Sequence, residues 1–357
     1  MQAGAPTGRL AANIVGCSET WRLAPKRKPP MSDRSTKLSR RSLLLAAMAA
    51  PASRVLAQSH YPDRPITLIV PFGPGGIADL TARAVAQAMA GTLKQSIVVD
   101  NRPSAGSIVG SSAVAQARPD GYTVLLMSNG NAVSQTLFKK LPFDVMSDFA
   151  PVGTLGFFDL AVFVPAESRF KTLRDVTAYA KANPGKLTIG TIAPGSTQHL
   201  SAELFKTVAG IDAVTVPYKG TPAVLTALRA GEIDVGFEIL GPMLSQVEAK
   251  VIRALAVTSG KRFPLLPNVP TVQEEGVAHY DVASWNALAV PARTPKDIVA
   301  RLTLAANDAL KSPEVIAQLQ KLGVRPQGGT PEQMTQLLTS EIKRWGDVIR
   351  ASKIEIQ

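Results

Sequence analysis

The stretch Tyr61–Asp79, YPDRPITLIVPFGPGGIAD, constrains the rest of the chain most strongly. A short apolar run, Ile66 to Val70, reads as a buried strand, and it stops at Pro71, Gly73, Pro74, Gly75 and Gly76. A helix follows. Strand, glycine loop and helix in that order form the unit from which α/β sheets are wound. The same unit makes a particular kind of surface. The first N–H groups of a helix have no partner within it, and the aligned peptide dipoles place partial positive charge there. Glycines let a ligand come close to that backbone. Such a surface suits an anion: carboxylate, phosphate or sulfate.

Residues 1–57 read as a leader. Arg40 and Arg41 follow Ser39, the apolar run Leu43 to Ala50 comes next, and Val55-Leu56-Ala57 supplies small residues for cleavage near Ala57. The run is too short to cross a bilayer, which takes about 20 apolar residues. Adjacent arginines point to twin-arginine export, with an ordinary secretory signal as the alternative. Met31 is the expected true start, because a signal beginning there has normal proportions. Ile14-Val15-Gly16-Cys17 is a poor lipoprotein box, because the preceding apolar run is short and interrupted by Asn13. The expected location is the periplasm.

The leader also explains the charge. It holds ten Lys and Arg against two Asp and Glu, so it carries +8 of the formal +12. The remaining 300 residues carry +4, with no basic patch in view, so nucleic acid is not an expected partner. The single cysteine is Cys17, which leaves the mature chain without a disulfide or a thiolate nucleophile. His60, His199 and His279 lie far apart without ligand spacing, so no metal is expected. No cofactor is expected either, and a monomer is the default.

Some 300 residues exceed the usual size of one core and suggest two domains. Short apolar strands alternate with amphipathic helices, the pattern of an α/β fold with mostly parallel sheets. Strands are expected at Ile66–Val70, Ile97–Val99, Thr123–Met127, Ala150–Leu155, Leu160–Val164, Leu187–Thr191, Ala213–Val216, Val235–Glu238, Arg253–Val257 and Ala287–Val290. Gly91 reads as the C′ glycine of the first helix. Thr172 with Asp175 reads as a capping box, and Ser196 or Thr197 as the cap of a helix ending at Gly210. Thr294-Pro295, Ser312-Pro313 and Thr330-Pro331 each place a cap before a proline at N1. Pro151–Pro165 and Tyr280–Pro291 are candidate crossings between domains. They divide the chain into one lobe of residues 61–157 plus 284–357 and another of residues 158–283. The last helices are expected to pack on the first lobe.

Five places could hold a ligand, and each has a plainer reading. Gly75, Gly76, Ile77, Ala78 and Asp79 form the first loop and helix start. Gly73-x-Gly75-x-x-Ala78, with Asp100 on the next strand, also fits a loose dinucleotide fingerprint, so an exported oxidoreductase is the rival reading. Pro194 to His199 repeats the device in the other half, with Gly195, Ser196, Thr197 and His199 as candidates; simple capping is the alternative. Ser128, Asn129, Gly130 and Asn131 stand beyond a strand end, where α/β ligands bind or where a solvated turn would lie. Tyr218, Gly220 and Thr221 could wall a pocket and open a helix, while Lys219 reads as solvated. Glu238 could accept from an amine or hydroxyl, and Trp285 is a pocket wall or a hinge-core residue. There is no G-x-S-x-G, Walker loop or Cys/His cluster, so the sequence offers anion cradles and no catalytic apparatus.

Four segments together resemble one family: YPDRPITLIVPFGPGGIAD, DNRPSAGSIVGSSAVAQARPDGYTVLL, VPYKGTPAVLTAL with GEIDVGF, and RALAVTSGKRFPLLPNVPTVQEEG. The chain from about Tyr61 onward is similar to the extracytoplasmic solute receptors of tripartite tricarboxylate transporters, the Bug or TctC-like proteins. The resemblance implies a periplasmic-binding-protein (Venus-flytrap) fold with two α/β lobes, mixed, mostly parallel sheets and two crossing hinge strands. It implies capture of a small carboxylate by backbone N–H groups and ordered waters, and delivery to membrane transporter subunits; a sensor kinase is the alternative partner. It places first-lobe contacts at Gly75 to Asp79 and Ser128 to Asn131. Second-lobe contacts fall at Gly195 to His199, Tyr218 to Thr221, and Glu238. Two segments depart from the family pattern. The family's usual Asp before an Asn is Glu238-Ile239 here, and NGNAVSQTL (Asn129 to Leu137) lacks the common Asn-Pro. Both lie near the expected ligand, so the substrate cannot be borrowed from relatives.

Overall fold

The computed structural model describes residues 61–357, and the readings of the leader (export signal, twin-arginine pair, Met31 start, Cys17) lie outside the described residues. Ten strands form one mixed sheet: β1 Ile66–Val70, β2 Ile97–Asn101, β3 Thr123–Ser128, β4 Phe149–Pro165, β5 Leu187–Ile192, β6 Ala213–Tyr218, β7 Val235–Ile239, β8 Ile252–Val257, β9 Ala283–Pro291 and β10 Val324–Pro326. The helices are α1 Ile77–Leu93, α2 Ile108–Ala115, α3 Asn129–Leu137, α4 Leu173–Ala182, α5 Thr197–Ala209, α6 Thr221–Ala230, α7 Leu240–Glu248, α8 Lys296–Ala309, α9 Pro313–Lys321 and α10 Pro331–Ala351, with a 3₁₀ turn at Ala105–Ser107.

The main strand order is β2-β1-β3-β9-β4-β7-β5-β6, with β8 and β10 also paired to β4. The two wings are parallel: β2-β1-β3 on one side and β7-β5-β6 on the other. Every antiparallel ladder among the described strands involves β4 or β9. The parallel character expected from sequence therefore holds within each wing, and the crossing strands supply the antiparallel centre. The fold is α/β with two crossing strands, as the sequence indicates.

Three local expectations change. Ala150–Leu155 and Leu160–Val164 are halves of one 17-residue strand, β4, which pairs with β9 through two register shifts. Gly91 lies inside α1, which continues to Leu93 and ends at Lys94 in the left-handed region (φ 54°). Pro295 is the cap of α8 rather than its first residue, and the Thr294 hydroxyl bonds back to Pro291 O. The caps at Thr172, Ser196 and Thr330 stand as read, and each side chain accepts from the N–H three residues on.

Packing fixes the helices that matter for the site. In α5, Phe205 meets Phe237 of β7 and Tyr280, at ring separations of 5.3 and 6.0 Å. The Tyr280 hydroxyl donates to Ser201 O at 2.7 Å, so this aromatic cluster has no stranded polar tip. On the first wing, Leu302, Ala305 and Ala306 of α8 join Ala82, Val85 and Met89 of α1 in one buried cluster. Met334, Leu338 and Trp345 of α10 lie in another with Ala132, Val133 and Leu137 of α3.

Candidate functional site

Five helices begin at one cavity. Helices α1, α3, α5, α6 and α7 each follow a parallel-wing strand, and the residues at their starts line a cavity of about 900 Å³. From the first wing come Gly76, Ile77 and Ala78 of α1 and Ser128 and Gly130 of α3. From the other come Gly195 to Gln198 at α5, Gly220 and Thr221 at α6, and Ile239 and Pro242 at α7. The cavity thus sits beyond the carboxyl ends of the strands, where open α/β sheets bind ligands.

The caps decide how much positive potential reaches it. Ser128 and Ser196 cap α3 and α5, accepting from Gly130 N at 3.2 Å and His199 N at 3.1 Å. Gly76, Gly220 and Ile239, the N-caps of α1, α6 and α7, supply no side-chain acceptor. In α1 the first N–H groups therefore remain open to a ligand, whereas Pro222 in the first turn of α6 and Pro242 in that of α7 have no N–H, so these two helices offer fewer free donors. Lys219 is the one lining residue with a formal charge, and it is exposed. The rest of the wall is largely apolar: Phe72, Phe158, Ile192 and Ile239.

Not every expected contact faces this space. Gly75 and Asp79 are turned to each other: the Asp79 carboxylate, 1% exposed, accepts from Gly75 N at 2.8 Å, from Asn101 Nδ2 at 2.8 Å and from Arg83 Nε at 3.0 Å. A buried carboxylate needs such donors. Desolvation works to raise its pKa, but the bonds from Arg83, the Gly75 N–H and Asn101 outweigh it and hold the carboxyl below its ordinary value. Asp79 therefore fixes the loop, and neither it nor Gly75, whose N–H it accepts, is among the lining residues. Asp100, the ribose candidate of the dinucleotide reading, pairs with Arg102 at 2.8 Å and is not among the lining residues.

Glu238 stands one layer behind the wall. It is fully buried, and its Oε2 accepts from Gln198 Nε2 (3.2 Å), Thr221 Oγ1 (3.0 Å) and Ile239 N (3.2 Å). Burial pushes its carboxyl up to about 7, against the lowering pull of those three donors. It orients Gln198 and Thr221, which do line the cavity. His199 is also set back: its Nδ1 accepts from Gly195 N at 3.5 Å, and burial lowers its pKa. Tyr218 ends β6 half-buried, outside the lining. Asn129 bonds Thr197 Oγ1 through Nδ2 at 2.8 Å.

Trp285 faces the other way. Successive strand residues point to opposite sides, so Ser284 and Asn286 face the large cavity. Trp285 instead lines a separate cavity of about 330 Å³ with Phe157, Arg325 and Glu341. The aromatic wall of the large cavity is Phe72 and Phe158. Sequence reasoning missed these two, together with Ser284 and Asn286, while Gln198 lies within the expected Gly195–His199 segment. The signal for the last pair was there: two polar residues flanking a tryptophan inside an apolar strand.

No helix of the described residues is long and apolar enough to cross a membrane. Comparison with known proteins agrees with this geometry. The UPF0065 protein in the tcbD-tcbE intergenic region of Pseudomonas sp. (strain P51) is 37% identical over 304 residues, covering 85% of this chain and 90% of that protein. The R. palustris protein Rpa4515, solved with adipate, is 35% identical with a TM-score of 0.73, over 83% of this chain and 99% of the other. The periplasmic binding protein BugD is 29% identical with a TM-score of 0.71, over 83% of this chain and 100% of the other. Residues 81–354 match the profile described as "Tripartite tricarboxylate transporter family receptor". The chain is a member of that family of periplasmic solute-binding receptors.

Proposed function

We propose that this protein is a non-catalytic periplasmic receptor that captures a small organic carboxylate and delivers it to the membrane subunits of a tripartite transporter. The observation that carries the reading is the convergence of five helix N-termini, three of them without a side-chain cap, on a cavity with one exposed lysine and no acidic lining residue. Anions are stabilised at such termini, and the effect grows where water is excluded. An amine would meet the wrong end of every dipole. The binding of adipate by a relative 35% identical is consistent with this.

The contacts assigned to the ligand are the N–H groups around Gly76, Ile77 and Ala78 on one side and Thr197, Gln198 and Thr221 on the other. Ordered waters complete the shell, since a bridging water is nearly as good as a direct bond. The crossing strands β4 and β9 act as hinges between a lobe of residues 61–157 plus 284–357 and a lobe of residues 158–283, and ligand capture closes them. Export through the leader places the receptor where its substrate arrives.

A thermal-shift screen of protein refolded to strip carried-over ligand tests this. Mono-, di- and tricarboxylates are compared with amines and neutral sugars. A bound ligand at about 100 times its dissociation constant stabilises by about 2.7 kcal/mol, so at least one carboxylate class raises the melting point and the amines do not. A folded protein that responds to no carboxylate refutes the reading.

A further inference from the structure

Asn286 lies in the middle of β9, 1% exposed, and lines the ligand cavity. Its side-chain Oδ1 and Nδ2 are both without a hydrogen-bond partner. Each unpaired buried polar group costs about 1–3 kcal/mol, and strand interiors normally exclude asparagine. Its neighbours in the sheet offer no relief. In register on one side stands Ser128, whose hydroxyl caps α3; on the other stands Gly156, which has no side chain. The unmet valences therefore belong to whatever fills the cavity.

We infer that Asn286 is the specificity-determining residue of this site, and that the preferred ligand is a carboxylate whose body carries a hydroxyl or amide. The inference rests on the carboxylate reading above and narrows it. Carboxylate oxygens only accept, so a second carboxylate would satisfy Nδ2 and leave Oδ1 stranded. A hydroxyl or an amide donates and accepts at one place, matching both halves of the Asn286 amide. The anion itself needs no help from Asn286, because the uncapped helix starts flank β9 in the strand order: α1 follows β1, and α6 and α7 open beyond β6 and β7. Asn286 thus reads the middle of a ligand whose charged end is held elsewhere. The apolar walls at Phe72, Phe158, Ile192 and Ile239 take the intervening carbon skeleton.

The test is calorimetric titration of matched pairs that differ by one hydroxyl or amide: succinate and malate, glutarate and 3-hydroxyglutarate, adipate and 3-hydroxyadipate, succinate and succinamate. Each is measured on the native protein and on Asn286→Leu, a near-isosteric change that removes both polar atoms. The native protein is expected to favour one substituted member by about tenfold or more, the worth of one to two hydrogen bonds. In Asn286→Leu that ratio collapses to about one, and the melting point of the unliganded protein rises. Equal affinity within every pair, or a preference that survives in Asn286→Leu, overturns the inference and leaves the carboxylate reading standing. A fall in melting point with equal losses for both members also overturns it, because it marks a structural role. Absence of binding by every acid refutes the carboxylate reading itself and the inference with it.

Discussion

Asn129 Nδ2 donates to Thr197 Oγ1 at 2.8 Å, joining the first turn of α3 to the first turn of α5 across the sheet. Asn129 is itself held: its Oδ1 accepts from Trp345 Nε1 at 2.7 Å, and the same indole N–H reaches Glu341 Oε2 at 2.8 Å. Trp345 is fully buried in α10 and Asn129 is 1% exposed, so the relay lies in a poorly solvated region. It ties the C-terminal helix to the start of a helix on the far wing, and any opening of the cavity between α3 and α5 breaks it.

Thr197→Val tests that tie. The change keeps shape and removes the oxygen, leaving Asn129 Nδ2 unpaired. One hydrogen bond is worth about 0.5–1.5 kcal/mol net. The dissociation constant for the best carboxylate is expected to rise roughly three- to tenfold by calorimetry, with the melting point lower by about 2–4 °C. An unchanged affinity shows that the bond does not contribute to the liganded form.

Two glycines at the cavity separate binding from folding. Gly76 has φ −79°, and an added Cβ would find only Gly73 O, at 3.8 Å. Gly76→Ala is therefore expected to leave stability nearly unchanged, because the gain of about 0.4–1 kcal/mol from a stiffer unfolded chain is offset by a poorer N-cap. Its methyl group would enter the ligand space and lower carboxylate affinity by about tenfold or more. Gly195 has φ +80°, and a Cβ there would collide with Leu137 Cδ2. Gly195→Ala is expected to cost about 2–5 kcal/mol, from left-handed strain and overpacking. Parallel melting and titration curves for the two variants distinguish these effects.

Lys219→Met measures how much of the anion affinity comes from a side-chain charge. The side chain is exposed, so its attraction is screened within about 10 Å at 0.1 M salt. A loss of less than about fivefold is expected, close to the range of exposed ion pairs. A loss of a hundredfold would shift the anion's support from the main chain to Lys219.

Glu238 sets a pH dependence whose sign is fixed. Its carboxyl rises from 4.5 to about 7 on folding, so between those values the folded state binds more protons than the unfolded one. Stability from this group is full below about pH 4.5 and is lost as pH rises through 7, a cost of about 3 kcal/mol when complete. His199 works in the opposite sense, since burial lowers its pKa, so the useful quantity is a difference between proteins. Glu238→Gln is expected to be more stable than the native chain at pH 8 and nearly equal at pH 4.5, by denaturant titration at both. A constant difference across that range would count against the titration.

Much of the fold was legible because strand and helix periods are local. Strands β1, β5 and β7 announce themselves as apolar runs ending at turns, and Thr172 and Thr330 cap helices through bonds only three residues long. The joined strand β4 was not legible. The residues between Leu155 and Leu160 read as a break between two strands, whereas in the fold Asp159 is buried against Arg325, at 2.7 Å and 166 residues away. That pairing also brings in β10, too short at three residues to be seen alone. In the site, the glycine loops were found because backbone chemistry follows from glycine and helix starts. The side chains were harder. Trp285 drew attention by size, yet strand alternation turns it away and presents Ser284 and Asn286 instead. Asp79 and Glu238 read as ligand contacts from sequence, and in the fold their carboxylates accept from local donors behind the cavity lining.

The uncapped starts of α1, α6 and α7 have a consequence for descent. A charge held by main-chain N–H groups is not encoded by any one side chain, so a single substitution that spares the fold, such as Gly76→Ala, is expected to weaken it without removing its donors. Variation in the walls and at the floor of the cavity can then alter which acid is accepted while acid capture itself persists. A lineage built this way can trade one substrate for another without passing through a form that binds nothing.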